Sequence, residues 1–357
     1  MQMAHKGHEV HVINTKSPLE KISIPEGVPY MHHWATLPAH RSKQNNSFRF
    51  LSAWYVNKEI EKILADSSAQ CTLIHANGEE GGLVHRLRDK HKFGFISTPR
   101  HPHYPALFYK YPFEELPVHA KVRLWLRHSK FMMQAKAARN ADMVCPPSRW
   151  SARILQQAFD IPERNIQAVH NGVPDEFLHY SRQEEARKGP IVFFGRFSHT
   201  KGIDTLIEAL GQMDRGRLPD VHLIGRGPME QKIRERTQKL GLGGNLHFKA
   251  WMPHDQLARE LSRARMAVLP SREENFSLAV LGAMAVGVPT ISTNVGGTPE
   301  IITHQENGLL IDPDKPGDLD GNIEYLLENE ARSNEMGKAA HRHIREHFTW
   351  KHTAGEF

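Results

Sequence analysis

Cysteine is nearly absent from this chain: Cys71 and Cys145 are the only two in 357 residues. That excludes a disulfide framework and any cysteine-rich zinc module, and it points to a reducing, cytoplasmic setting. Long apolar runs are absent too. No stretch approaches the roughly 20 residues of a membrane span, and the amino terminus does not read as a signal peptide. There is no zinc spacing, no aromatic RNP-like strand and no long basic arm, so a nucleic-acid partner is not expected. Acids are missing from one whole segment, 118–140, which carries Lys121, Arg123, Arg127, Lys130, Lys136 and Arg139.

What is present suits two soluble domains. The length allows a core in each, and 39% hydrophobic with 24% charged residues is ordinary for a globular chain. A formal charge of +6 is a mild bias toward anionic partners. In segment 118–140, Val118, Val122, Trp125, Met133 and Ala137 recur at helical spacing. Such a helix either packs with a basic outer face or touches an anionic membrane peripherally.

Strands and helices alternate along the chain. Residues 8–13 read as a strand that follows a helix end and a glycine stop at Gly7, so the strand that normally opens a parallel sheet is missing from the pattern. A polar loop and a helix from about Phe48 to Ala65 come next. Strands are expected at Thr72–His75, Phe93–Thr98, Ala141–Ser148 and Ala168–Val173, with a helix over 82–90. The first domain is read as 1–180, the polar stretch 181–189 as a linker, and the second domain as 190–357. There, strands at Ile191–Phe194, Val221–Ile224, Leu246–Phe248, Met266–Leu269, Thr290–Thr293 and Leu309–Ile311 alternate with helical segments near 203–210, 229–240, 255–264 and 277–286. This is a doubly wound α/β pattern.

The stretch 270–285, PSREENFSLAVLGAMA, begins where the apolar run 266–269 stops. It places Glu274 at the carboxyl end of a strand, just before a helix start. Ligands bind in that crevice of an open sheet, and free N–H groups at Phe276, Ser277 and Leu278 would suit phosphate oxygens. The plain alternative is a solvated loop acid favoured by the helix dipole. The turn 195–202, GRFSHTKG, brings Gly195, Arg196 and Lys201 to another strand end. Glycines allow close backbone approach and the cations neutralise charge, which suits a diphosphate; a basic surface loop is the alternative. Walker-loop spacing is absent. Gly225-Arg226-Gly227-Pro228 ends the next strand, and Trp251-Met252 follows the one after it.

In this order, GRFSHTKG, LIGRGP, PSREENFSLAVLGAMAVGVP, NVGGTPEI and ENGLLIDP resemble the retaining family-4 (group 1) glycosyltransferases of the GT-B fold. KGHEVHVI, LIHAN, ADMVCPPS and AVHNGV look like that family's amino-terminal half. The resemblance implies two Rossmann-like, doubly wound domains facing a central cleft, with the acceptor on the first and the nucleotide sugar on the second. It implies that Arg196 and Lys201 hold the diphosphate, with Gly195 and Arg226 close by. Glu274 would face the donor sugar, the backbone from Asn275 through Phe276 and Ser277 to Leu278 would meet phosphates and hydroxyls, and Met252 would lie by the base. His101, after the strand at 93–98, would lie near the reacting sugar. The donor would be UDP- or GDP-linked and the acceptor a sugar, lipid-linked or small molecule, with no metal and no cofactor implied.

Two departures stand out. The family's motif pairs two glutamates eight positions apart, and here the second position is Gly282. The opening strand and its glycine-rich loop are missing, which resembles a family member trimmed at both ends. A non-catalytic binding or scaffold relative is therefore the competing reading. A third, metal-dependent reading would use Asp312 with Asp314, or Asp318 with Asp320, in a polar loop.

Overall fold

The computed structural model describes residues 8–16, 30–36, 49–67, 71–99 and 133–356. Two compact units divide between Val169 and His170.

In the first unit β1 (His11–Lys16) and β2 (Met31–Thr36) pair in parallel. Helix α1 (Arg49–Asp66) follows, then β3 (Leu73–Asn77), a 3-10 helical segment Glu79–Asp89 where a helix was expected over 82–90, and β4 (Gly94–Thr98). After helix α2 (133–140) come the short β5 (Met143–Val144) and α3 (Arg149–Phe159). Strands β3, β4 and β5 form a second parallel sheet. Phe95, Val84, Leu87 and Ala137 close its core. Among the described residues β1 and β3 do not pair. A cavity of about 670 Å³ lined by both strands lies between them, and Leu73 is 55% exposed. The strand expected at 168–173 does not form. Its backbone bonds go instead to loops, Val169 N–H to Pro146 O and Val173 N–H to Phe348 O.

The second unit is built on strands of strong β propensity flanked by helical periodicity. It opens with α4 (Asp175–Leu178) and a 3-10 turn at 184–188, then β6 (Ile191–Phe194). The series continues through α5 (Ile203–Gln212), β7 (Val221–Ile224), α6 (Glu230–Lys239), β8 (Leu246–Lys249), α7 (His254–Ser262), β9 (Met266–Leu269), α8 (Leu278–Val286), β10 (Thr290–Thr293) and β11 (Leu309–Ile311). Helices α9 (Pro316–Glu328), α10 (Glu330–His347) and α11 (Trp350–Glu356) close it.

All six strands are parallel, in the order β11-β10-β9-β6-β7-β8. The period of two in IVFF sends Ile191 and Phe193 to one face and Val192 and Phe194 to the other. Helices α5 and α9 cover the first face, α7, α8 and α10 the second. Each such buried side chain contributes about 2 kcal/mol. The strand order reverses between β6 and β9, so their carboxyl ends frame the crevice that a doubly wound sheet offers to ligands.

Residues 181–189 belong to this unit rather than hanging free. Arg182 donates to Ala264 O at 3.0 Å, Arg265 O at 3.1 Å and Asn334 Oδ1 at 2.6 Å, and Gln183 N–H donates to Ser262 O. Their polar composition serves these bonds. Asp318 and Asp320 lie in α9, not in a loop, because Pro316 at the first helical positions and an acid in the first turn make a helix start.

Candidate functional site

The loops leaving β6, β9 and β10 meet above the switch in strand order. Two glycines let them touch. Gly202 sits at φ +63°, and a Cβ there would lie 1.8 Å from Pro270 O. Gly296 sits at φ +57°, where a Cβ would lie 1.6 Å from Glu274 O. No other residue type fits either position without parting the backbones.

That closeness puts Lys201 on Glu274. Lys201 Nζ donates to Glu274 Oε1 at 2.6 Å, and the carboxylate is only 10% exposed. Ser271 Oγ donates to the same oxygen at 2.9 Å and Ser277 Oγ at 3.3 Å. Three donors converge on Oε1, whereas Oε2 has no partner among the described residues. The carboxylate is thus held by one oxygen and able to accept through the other.

Ser277 also caps α8, its Oγ accepting from Val280 N–H at 3.4 Å. The helix therefore begins at Leu278, and the amides of Phe276, Ser277, Leu278 and Ala279 make no hydrogen bond among the described residues. The Phe276 side chain points away from this edge. It is buried and stacks on His170 at 5.0 Å, which bonds Glu300 at 2.9 Å, so Phe276 offers its backbone only. Leu278 is exposed.

Arg196 and Arg226 lie exposed on neighbouring loops joined by the bond from Phe197 N–H to Arg226 O at 2.9 Å, and neither makes an ion pair among the described residues. Met252 is half-buried against the core, while its neighbour Trp251 is 69% exposed at the end of β8. Gly282 does not face open space. It is buried in α8, and a Cβ there would meet the Phe177 ring at 3.0–3.3 Å.

His101 and residues 118–132 lie outside the described residues. The described remainder of the basic segment, 133–140, packs inward through Met133, Ala135, Ala137 and Ala138. No helix among the described residues is long and apolar enough to cross a membrane. Three of the four acids of the metal-dependent reading already face cations: Asp312 pairs with Lys315, Asp314 with Arg272, and Asp318 lies 3.8 Å from Lys315.

Sequence reasoning gave no role to Arg272, Ser271, Asp204 or His170. Arg272 binds Asp204 and Asp314, and a serine three residues before Glu274 was the available hint for Ser271. Burial pushes the Asp204 carboxyl up, but the Arg272 hydrogen bond and charge outweigh it and hold Asp204 below the usual range.

Residues 176–343 match the family model described as Glycosyl transferases group 1, and residues 1–177 the model described as Glycosyltransferase Family 4. An uncharacterised glycosyltransferase of Methanocaldococcus jannaschii is 27% identical over 210 residues, 56% of this chain and 54% of that protein. The chain spans about half the length of the curated relatives it matches. Sucrose-phosphate synthase from Thermosynechococcus elongatus superposes with a TM-score of 0.80 at 22% identity, covering 99% of this chain and 88% of that one. Anabaena HepE in complex with UDP-glucose gives 0.67 at 17% identity, covering 84% and 80%. At these identities the likeness is one of fold.

Proposed function

This chain belongs to the group 1 glycosyltransferases, with a family 4 amino-terminal half and the GT-B fold, and from that premise we propose that it moves a sugar from a nucleotide diphosphate sugar to an acceptor with retention. The observation that carries the reading is Glu274, anchored through Oε1 by Lys201 and two serines with Oε2 left to accept, at the carboxyl ends of β6 and β9. In this reading Oε2 takes a hydroxyl of the donor sugar. Lys201 and Arg196 bind the diphosphate, together with the amides at 276–279. Their charge-assisted bonds strengthen as the leaving phosphate gains charge, so the protein supplies the positive charge itself and no metal is required.

The bond between the sugar's anomeric carbon and the phosphate oxygen breaks as the acceptor oxygen bonds to that carbon on the same face. The acceptor's proton passes to the departing phosphate. The first unit would take the acceptor, a sugar or lipid-linked sugar. The donor is UDP- or GDP-linked, and HepE, a neighbour in fold, has been solved with UDP-glucose.

Donor hydrolysis and transfer across a panel of UDP- and GDP-sugars test this. Wild type is expected to turn over, Glu274→Ala to lose 100-fold or more, and a chelator to change nothing. One observation favours a second reading: position 282 carries no carboxylate and is packed against Phe177. A binding relative would bind the nucleotide sugar without turnover, and a chain that binds none of the panel ends both readings.

A further inference from the structure

We propose that Arg272 is a positioning residue for the phosphate-binding loop: it clamps residues 199–205 so that Lys201 stands against Glu274. The proposal rests on the nucleotide-sugar reading above.

Arg272 looks at first like a third phosphate ligand, since it sits between Ser271 and Glu274 on the crevice loop. Its hydrogen bonds say otherwise. Nε donates to Asp314 Oδ1 at 2.6 Å. Nη1 donates to His199 O and to Asp204 Oδ1, both at 2.6 Å. Nη2 donates to Asp204 Oδ2 at 3.1 Å and to Thr205 Oγ1 at 3.0 Å. A guanidinium has five N–H donors in a fixed plane, and here every one has an acceptor. With the side chain only 15% exposed, none is left for a ligand.

The acceptors share one feature. His199 O, Asp204 and Thr205 flank Lys201 on both sides, and the Arg272 amide adds a bond to Thr200 O at 2.8 Å. The β9 loop thus grips the β6 loop just before and after the lysine. Asp314 brings in the loop after β11, and it holds a left-handed φ of +60°, a conformation that a non-glycine residue keeps only where its surroundings fix it. Among the described residues Arg272 makes no hydrogen bond to Lys201 or Glu274; it acts through the loop. A lysine at 272 would keep the charge but has three donors and no planar fork, so it cannot grip Asp204 with two parallel bonds while holding His199 O and Asp314.

The test is a double-mutant cycle read in nucleotide affinity. UDP and GDP are titrated calorimetrically into wild type, Lys201→Ala, Arg272→Lys and the double variant, with urea midpoints measured alongside. Lys201→Ala is expected to weaken binding about tenfold or more, Arg272→Lys by a similar factor, and the double variant no further than Lys201→Ala alone. A purely structural role would move the urea midpoint without that non-additivity. Hydrogen exchange adds a second readout: the Lys201 and Gly202 amides, bonded to Ser198 O and His199 O, should exchange faster in Arg272→Lys. If Arg272→Lys unfolds, Asp204→Asn removes one side of the fork and is read the same way. Wild-type affinity in Arg272→Lys, or losses that multiply in the double variant, overturn the proposal. If Lys201→Ala binds as wild type does, the donor-site reading itself falls, and the clamp falls with it.

Discussion

Replacing Gly296 by alanine probes how the site is assembled without touching any group assigned to the ligand. The added Cβ would stand 1.6 Å from Glu274 O, against roughly 3.2 Å for an ordinary contact, so the β9 and β10 loops must part by about 1.5 Å. Alanine at φ +57° adds about 1 kcal/mol of backbone strain. Overpacking of this size costs typically 1–3 kcal/mol, so the sum is roughly 3 kcal/mol. For a unit of this size that corresponds to a fall in Tm of about 6–12 °C. The displacement also acts on function. The Lys201–Glu274 bond is 2.6 Å, and a carboxylate moved by more than an ångström loses either the lysine or Ser271. Donor affinity should fall about tenfold even at temperatures where the variant is fully folded. Differential scanning calorimetry and titration with UDP-glucose measure the two effects. A Gly296→Ala protein with unchanged Tm and unchanged donor affinity would refute the claim that these loops are in contact.

Three further outcomes follow from other sites. Gly282→Glu should cost roughly 3 kcal/mol in a urea melt, because it adds a carboxylate where even a Cβ crowds Phe177; wild-type stability would mean the acid finds its way out. Glu260 is held down to about 2 by the hydrogen bond from His222, then by Lys249, against the opposing effect of burial. A depressed carboxyl stabilises the fold above its unfolded pKa near 4.5 and loses that contribution as pH falls toward 2. Wild type should therefore exceed Glu260→Gln by roughly 2 kcal/mol at pH 6, discounted for screening, and the gap should close between pH 4.5 and 2; a constant gap contradicts the pairing. Burial pushes the Cys145 thiol up to about 11, so native-state alkylation at pH 8, read by mass spectrometry, should label exposed Cys71 and spare Cys145.

The second unit was legible because three of its strands, IVFF, VHLI and MAVL, are short runs closed by glycine or proline. IVFF, VHLI, MAVL and TIST all stand within a residue of where their pattern places them. Strand β2, MHHWAT, escaped notice because two histidines and a tryptophan break any alternation. Residues 168–173 alternate like a strand, yet tertiary bonds to Pro146 and Phe348 claim their backbone. Helix α9 was hidden by glycines and acids that read as loop. At the site, Glu274 and Lys201 were visible as charged residues at strand ends. Their partnership was not, since it depends on the close approach that Gly202 and Gly296 permit. Arg272 was invisible for the same reason: Asp204 and Asp314 reach it only through the fold.

The account turns on whether Lys201 and Glu274 serve one ligand. Titrating UDP and UDP-glucose into wild type, Lys201→Ala and Glu274→Gln reads this directly. Lys201→Ala should weaken both ligands about equally, because both carry the diphosphate, and Glu274→Gln should weaken UDP-glucose selectively, because only it carries the sugar. Equal binding of both ligands by all three proteins would contradict it.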